Sequence, residues 1–494
     1  MNFFNTIKHQ KYLFLISIIY FLPFINFINN NFHEVNIILG LSFYVLIFLF
    51  ALLLLILSYL FYLILRKKIN YFQSVLSITL LNWFLFKHNL LNLNLKRIIS
   101  EQYASEIALA VVIIISIIAI IFVIKQNQLF LKFIKVFFLI LFTLTSFEVL
   151  KKTFIFNKKT ENVYTDKNIK LFNDKLKLEK QNIYFFILDG MQPVEDFKRI
   201  HNLDLNEFLK FIKKNNFVNP ENTKNFYGNT NNSLSAMFYL DTIFVEKDGN
   251  QIFKNNRKIV FPTLMRHVQK SDLMNNLNNL GYNFKWVGNF FAYCPKYNLR
   301  FCLDSNKHIY IDTYLYINFF RQSPVIQMIW AVSSLLNYDF NKNFFYKLND
   351  GMGRLLKHLE LHKNQIIKNK PTFYFVHHMS PHWPYITKNN CDYKYYPGDK
   401  NMTGYKNAYL CNIKKIKEVI NFVNLNDPSA FVVFQSDHNW EMSRKNPEER
   451  KKIFNLIKEK NNCKVDNSIN MNNVNTLKLI LSCITGDKPN YIMN

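Results

Sequence analysis

The chain reads as an N-terminal α-helical transmembrane bundle followed by an extracytoplasmic α/β domain with a mostly parallel sheet flanked by helices. Three observations predict this. Residues 1–150 are dominated by Phe, Ile, Leu and Val and hold five apolar stretches, each close to the roughly 20 residues a bilayer crossing needs. Beyond residue 150 short apolar runs alternate with helix-like stretches, the pattern of a sheet covered on both faces. Two of those runs, Ile183 to Leu188 and Ala430 to Ser436, end in acidic residues, Asp189 and Asp437. Active sites of open α/β sheets gather at that end of the strands.

The spans are placed at 12–29, 36–65, 70–87, 107–124 and 130–149. The third is interrupted by Gln73 and Asn82. Lys8 and Lys11 precede the first span, Arg66, Lys67 and Lys68 follow the second, and Lys125, Lys132 and Lys135 surround the turn after the fourth. The positive-inside rule then sets the N-terminus in the cytoplasm and, after five crossings, everything past residue 150 outside. No small-residue cleavage site follows the first span, so it is read as an anchor and not as a signal peptide. Charged side chains are absent from the middles of the spans, which disfavours a transporter.

The organisation predicted is a five-span domain at 1–150, a juxtamembrane linker at 151–181 and a globular domain at 182–494. The net charge of +27 comes from scattered lysines, so no nucleic-acid partner is expected. All six cysteines fall in the outer half, where an oxidising compartment favours disulfides. The sequential pairing 294–302, 391–411 and 463–483 is the one expected, with buried thiols as the alternative for Cys411 and Cys483.

In the outer half the strand at 183–188 is followed by a helix at 203–214, a helix at 272–280 capped by Ser271 and stopped by Gly281, and a strand at 283–288. A long helix at 350–369, a strand at 372–376 running into His377 and His378, a helix at 405–424 and the strand at 430–436 complete the pattern. Asp437 and His438 leave that last strand together, and mixed oxygen and nitrogen ligands suit zinc or manganese. Asp189 taken alone reads first as a cap for the turn that follows it. Thr230 lies in a Gly/Asn turn that becomes helix-compatible from Ser233. It reads either as an N-cap or as a hydroxyl poised where backbone N–H groups favour an anion, able to lose its proton and attack phosphorus. His382, on a loop fixed by Pro381 and Pro384, can hold a phosphoryl oxygen or protonate a leaving group, or simply pack among aromatic rings. Of His377 and His378, one should turn into the core or into hydrogen bonds.

Leu188-Asp189-Gly190, Thr230 with Ser233, Pro381-His382-Trp383-Pro384-Tyr385, Ser436-Asp437-His438 and the helix-like tail from Val474 to Ile480 carry a resemblance. Together with the spans, they resemble the membrane-anchored branch of the alkaline phosphatase and sulfatase superfamily, which includes lipoteichoic acid synthases and phosphoethanolamine transferases. The resemblance implies an alkaline phosphatase/sulfatase-like fold and one divalent metal held by Asp189, Thr230, Asp437 and His438. It makes Thr230 the catalytic nucleophile and His382 the residue that contacts the substrate phosphate. It further implies a multi-pass protein of the bacterial inner membrane, its catalytic domain facing the periplasm or cell exterior. A membrane phospholipid would donate a phosphoethanolamine- or phosphoglycerol-like group to an envelope glycan or lipid through a phospho-threonine. Hydrolysis of a phosphoester or sulfate ester is the enzyme alternative, and an inactive envelope-binding protein the non-enzyme one. The proline and arginine of a formylglycine-type motif are missing around residue 230, which disfavours sulfate esters. Two departures stand out: Asn439 follows Asp-His where the family has glycine, a position where asparagine's tolerance of left-handed backbone would help, and Asp189 stands where the transferases often have glutamate.

Overall fold

The computed structural model describes residues 3–30, 41–95, 101–161 and 181–493; within the last range the longest stretches left out are 289–302, 304–318, 320–334 and 337–349. Contacts divide the chain into two compact units, residues 1–164 with 311–331, and residues 165–310 with 332–494.

The first unit is helical: α1 (Phe3–Asn30), α2 (Leu41–Leu65), α3 (Tyr71–Leu95), α4 (Glu101–Ile124) and α5 (Gln128–Glu161). Four described stretches are long and apolar enough to cross a membrane, Leu13–Asn30, Ile47–Leu65, Ile107–Ile124 and Gln128–Phe154. The stretch expected at 70–87 forms a helix, α3, but does not meet that measure. The reason lies in its surroundings. It packs against α1, α2 and α4 and buries Gln73, Ser74, Ser77, Thr79 and Asn82. Gln73 donates to the Val123 carbonyl at 3.2 Å, and small or polar residues at helix contacts are what holds membrane helices together. Phe319, from the later insertion of this unit, stacks on Phe24 with ring centroids 4.6 Å apart. The helix α5 runs on to Glu161, so the first part of the expected linker is helical; residues 162–180 lie outside the described ones.

The second unit is built on a mixed sheet. In chain order its main elements are β1 (Ile183–Leu188), α6 (Val194–His201), α7 (Asn206–Lys214), β2 (Phe217–Val218) and α8 (Thr230–Tyr239). Then come β3 (Phe244–Lys247), β4 (Asn250–Phe253), α9 (Asp272–Asn279), β5 (Asn283–Val287), α10 (Gly351–Leu361) and β6 (Thr372–His378). The rest are β7 (Tyr385–Thr387), β8 (Tyr393–Gly398), α11 (Met402–Asn426), β9 (Phe431–Gln435), α12 (Pro447–Lys451), β10 (Asn455–Lys458) and α13 (Asn473–Thr485). The strand order is β2-β10-β9-β1-β6-β5. The four strands read from the sequence, β5, β6, β1 and β9, run parallel. Two short antiparallel strands, β10 and β2, extend the β9 edge; at four and two residues they are too brief for periodicity to mark them.

All six residues of β1 are buried, which explains why its sequence does not alternate. Their aromatic rings stack across the sheet, Phe186 on Phe434 at 4.5 Å and Tyr184 on Tyr374 at 5.1 Å. Burial of each such side chain contributes about 1.5–3 kcal/mol. Ser271 caps α9 by accepting from Met274 N at 3.2 Å, as expected. Cys391–Cys411 and Cys463–Cys483 form disulfides; Cys294 and Cys302 lie outside the described residues. Register does the work of assembling the site. Leu188 pairs with His378, and Ile187 with both His377 and Gln435, so β1, β6 and β9 all release their next residues at one edge of the sheet.

Candidate metal centre

Asp189, Asp437, His438 and His377 meet at that edge, each at most 2% exposed. Gly190 makes the turn after β1 possible, with φ +69°, a left-handed value that favours glycine. Its N–H donates to Asp437 Oδ1 at 3.1 Å, and His438 N–H donates to the same oxygen at 3.0 Å. Two backbone donors therefore fix one side of Asp437. The other oxygen, Oδ2, and Asp189 Oδ1 are buried and make no hydrogen bond among the described residues. Buried carboxylate oxygens without donors are costly unless a cation takes them.

His438 Nδ1–H donates to the Asn439 carbonyl at 2.7 Å, which leaves the Nε2 lone pair facing the carboxylates. From Nε2 the distances are 3.5 Å to Asp189 Oδ1, 3.5 Å to Asp437 Oδ2 and 3.3 Å to Thr230 Oγ1. Donors around a tetrahedral zinc at about 2.1 Å stand roughly 3.4 Å from one another. The three distances from His438 Nε2 are close to that spacing. His377 adds a donor. Its Nε2 is 3.6 Å from Asp189 Oδ2, and Asp189, His377 and Asp437 offer ligand atoms within 4.8 Å of one another. Its neighbour His378 takes the other course, with Nε2 at 3.2 Å from Asn412 Oδ1.

Burial and the Asp437 charge push the Asp189 carboxyl up to about 8. Burial would raise Asp437 too, but the nearby His438, His377, Thr230 hydroxyl and Gly190 N–H hold it below the usual range. Desolvation lowers His438 and His377 to about 4, so both rings are neutral near pH 7, the form in which imidazole binds a metal. Without a cation, two carboxylates this close keep a proton between them.

Thr230 is the first residue of α8, which starts three residues earlier than expected. Asn229, not Thr230, caps that helix by accepting from Asn232 N at 2.9 Å. The threonine hydroxyl is thereby left for the cluster. Ser233 ties the helix to the strand end: its hydroxyl lies 2.9 Å from the Asp437 carbonyl and 3.0 Å from that of Tyr227. Asn225 donates to the same Asp437 carbonyl at 2.8 Å. Asn439 is not left-handed. It holds its turn with side-chain bonds instead, from Nδ2 to the Glu449 carbonyl at 2.9 Å and from Trp440 N to Oδ1 at 2.7 Å.

His382 is half-buried and donates from Nδ1 to the Trp383 carbonyl at 2.5 Å. Aromatic side chains lock the three loops together. Trp440 stacks on Tyr405 at 4.4 Å and donates to Tyr385 Oη at 2.8 Å. Tyr405 in turn donates to the Gly190 carbonyl at 3.0 Å and accepts from Gln192 N at 2.9 Å.

Arg450 is a site residue the sequence reading missed. Its Nη2 lies 3.5 Å from His438 Nε2, and Nε donates to the Gly228 carbonyl at 2.9 Å. Gly228 makes room for it, because a Cβ there would stand 2.5 Å from Arg450 Cγ. Arg450 lies in the Pro447–Lys451 stretch, whose Glu-Glu-Arg-Lys run looks like a solvated surface helix. Only its position shortly after Asp437-His438 could have drawn attention to it.

No family model matches the chain, and no curated protein matches it either. Solved structures do. The chain is similar to the integral membrane lipooligosaccharide phosphoethanolamine transferase A (EptA) of Neisseria meningitidis, at 12% identity and TM-score 0.44, over 95% of each chain. It is similar to the lipoteichoic acid synthase LtaP of Listeria monocytogenes, at 12% identity and TM-score 0.36, over 67% of this chain and 78% of that one. The soluble domain of the Neisseria meningitidis transferase is matched at 14% identity and TM-score 0.35, over 57% and 77% of the two chains. Likeness at this level assigns neither an activity nor a substrate.

Proposed function

We propose that the protein is a metal-dependent phosphotransferase. It would move a phosphoethanolamine- or phosphoglycerol-like group from a membrane phospholipid to an envelope glycan or lipid, with the second unit outside the cytoplasm. One observation carries the reading. A threonine hydroxyl, two buried carboxylates and a neutral imidazole converge at distances of 3.3–3.5 Å, and two of the carboxylate oxygens lack donors. Asp189, Asp437, His438 and Thr230 would hold the cation, with His377 beside them; zinc or manganese fits this mixed oxygen and nitrogen set. Such a cation supplies Lewis acidity, making a hydroxyl more acidic and neutralising a phosphodiester oxygen.

The chain's own residues do the rest. Thr230 Oγ1 loses its proton to solvent and attacks phosphorus. The bond to the diacylglycerol-like alcohol breaks, and His382 protonates the departing oxygen. Arg450 is placed to balance charge gathering on the phosphoryl oxygens. Asn229 leaves the threonine free for this role by capping α8 itself. An acceptor hydroxyl then attacks the phospho-threonine, and Thr230 Oγ1 leaves and regains a proton.

The test uses the full chain, loaded with zinc or manganese and given isotope-labelled phospholipid. Mass spectrometry of the Thr230 peptide should reveal an adduct whose mass names the group. Thr230→Ala should remove both adduct and turnover while the protein stays folded by circular dichroism. Turnover that survives in Thr230→Ala would sink the nucleophile assignment.

A further inference from the structure

His382 reaches Tyr385 through Trp383 and Pro384, and this stretch has little freedom. His382 N–H donates to the Met379 carbonyl at 2.8 Å, which closes a turn around Ser380 and Pro381. Its Nδ1–H donates to the Trp383 carbonyl, and the ring of Pro384 fixes the backbone one residue further on. The loop therefore moves as one piece. Whatever holds its far end decides where the imidazole stands.

That end is held by Tyr385, the first residue of β7, which is 1% exposed. Its hydroxyl oxygen accepts from Trp440 Nε1 at 2.8 Å, and Trp440 stands two residues after His438. A short path thus joins the two histidines. It runs from His382 through Trp383, Pro384 and Tyr385, crosses the hydrogen bond to Trp440, and returns through Asn439 to His438. Gly404 of α11 leaves space for the tyrosine ring, because a Cβ there would lie 2.5 Å from Tyr385 Cδ2. Tyr405 closes in from the side, its ring centroid 6.1 Å from that of Tyr385 and 4.4 Å from that of Trp440. Burial pushes the Tyr385 hydroxyl up to about 12, so the bond to the indole does not change with pH near neutrality.

We infer that Tyr385 is a positioning residue: its hydrogen bond with Trp440 sets His382 against the departing alcohol oxygen. This role rests on the phosphotransfer reading and specifies how the acid in it is aimed. With Nδ1–H engaged by the Trp383 carbonyl, the proton comes from Nε2 of the imidazolium. As the P–O bond breaks, its electron pair goes to the alcohol oxygen, which takes that proton, and a neutral imidazole remains. An aliphatic alcohol needs the proton in order to leave, whereas a nitrophenolate leaves without one. A misplaced acid therefore slows only the first class of substrate, and a loosened site slows both.

The experiment uses the zinc-loaded full chain in lipid nanodiscs. Labelled phosphatidylethanolamine and phosphatidylglycerol are supplied in the bilayer and, separately, bis(nitrophenyl) phosphate in solution. Tyr385→Phe keeps the ring and removes the acceptor. Its phospholipid turnover should fall roughly 10–100-fold, and its nitrophenyl ester turnover less than about three-fold. In a His382→Gln background the same substitution should cause no further loss on phospholipid, because a residue that acts only through another adds nothing once that one is gone. The role is overturned by parent-like phospholipid turnover in Tyr385→Phe, by equal loss on both classes of substrate, or by losses that multiply in the double variant. His382→Gln alone separates this role from the reading beneath it. Equal loss on both classes there, or a parent protein inactive on both lipids, would overturn the phosphotransfer reading and this role together. Selective loss there beside a parent-like Tyr385→Phe overturns the role of Tyr385 alone. Nitrophenyl ester turnover also reports that each variant is folded.

Discussion

His377 and His378 are consecutive residues on β6, and they serve surroundings of opposite electrical character. His377 faces Asp189 and, beyond it, Asp437. Those carboxylates are buried together, and the backbone N–H groups that hold Asp437 leave an oxygen of each without a donor. His378 faces Asp350, which has an ammonium at 2.6 Å from Lys415. Both places are lined by an acid and a histidine, but the first brings two acids together and the second pairs one acid with a lysine. The lesson is that the partners of a buried acid, more than its residue type, decide whether it calls for a cation. Strand alternation puts the two on opposite faces within one residue step.

The sharpest way to break this comparison is to neutralise one acid on each side. Asp437→Asn should abolish tight zinc binding, a larger loss than the 10–100-fold typical of changing an outer-shell partner. Asp350→Asn should leave zinc content unaltered. Metal analysis of the two purified variants decides, and equal metal loss in both would erase the distinction.

A second test uses pH on the metal-free protein. The Asp189 carboxyl rises from 3.8 to about 8 on folding, so between those values the folded state holds the extra proton and stability falls as pH rises. His377 and His438 fall from 6.5 to about 4 and act with the opposite sign, but their contribution is complete by about pH 6.5. From pH 6.5 to 8, Asp189 dominates among these groups, and the metal-free protein should lose up to about 2 kcal/mol. Bound zinc keeps the carboxylate ionised, so the slope should flatten. Chemical denaturation at three pH values with and without zinc measures it, and a metal-free protein of constant stability would contradict the assigned environment of Asp189.

A milder effect on zinc binding than that of Asp437→Asn is expected at Tyr405. Tyr405→Phe removes the hydroxyl that bridges the Gly190 carbonyl and Gln192 N–H. A loss of about 1–3 kcal/mol in stability is expected, with zinc affinity falling no more than roughly ten-fold. Denaturation and zinc titration of that variant, compared with the same substitution in the Asp350→Asn background, would reveal whether the turn supports the metal side alone.

Much of this was legible from residue order. The runs at β1, β6 and β9 announced themselves because strands buried on both faces are continuously apolar, and the acids at their tips stood out against them. Asp189, Thr230 and Asp437, read by resemblance as metal ligands, lie within 3.5 Å of His438 Nε2. What escaped depends on packing. The polar residues of α3 lower its hydropathy because they face other helices. Asn439 was expected to tolerate a left-handed turn and instead anchors the loop through its amide. Arg450 and Asn412 sit on helices whose Lys- and Asn-rich composition resembles any solvated face, and only the fold reveals which of those side chains turn inward.

Gly228 ties two distant stretches of the gene together. Any larger residue there would collide with the Arg450 side chain, 222 positions further along. Drift at one position is therefore tolerable only with a compensating change at the other. A lineage that exchanged the guanidinium for a short side chain would release residue 228 from its restriction, and the two sites would be expected to vary in step across related genomes.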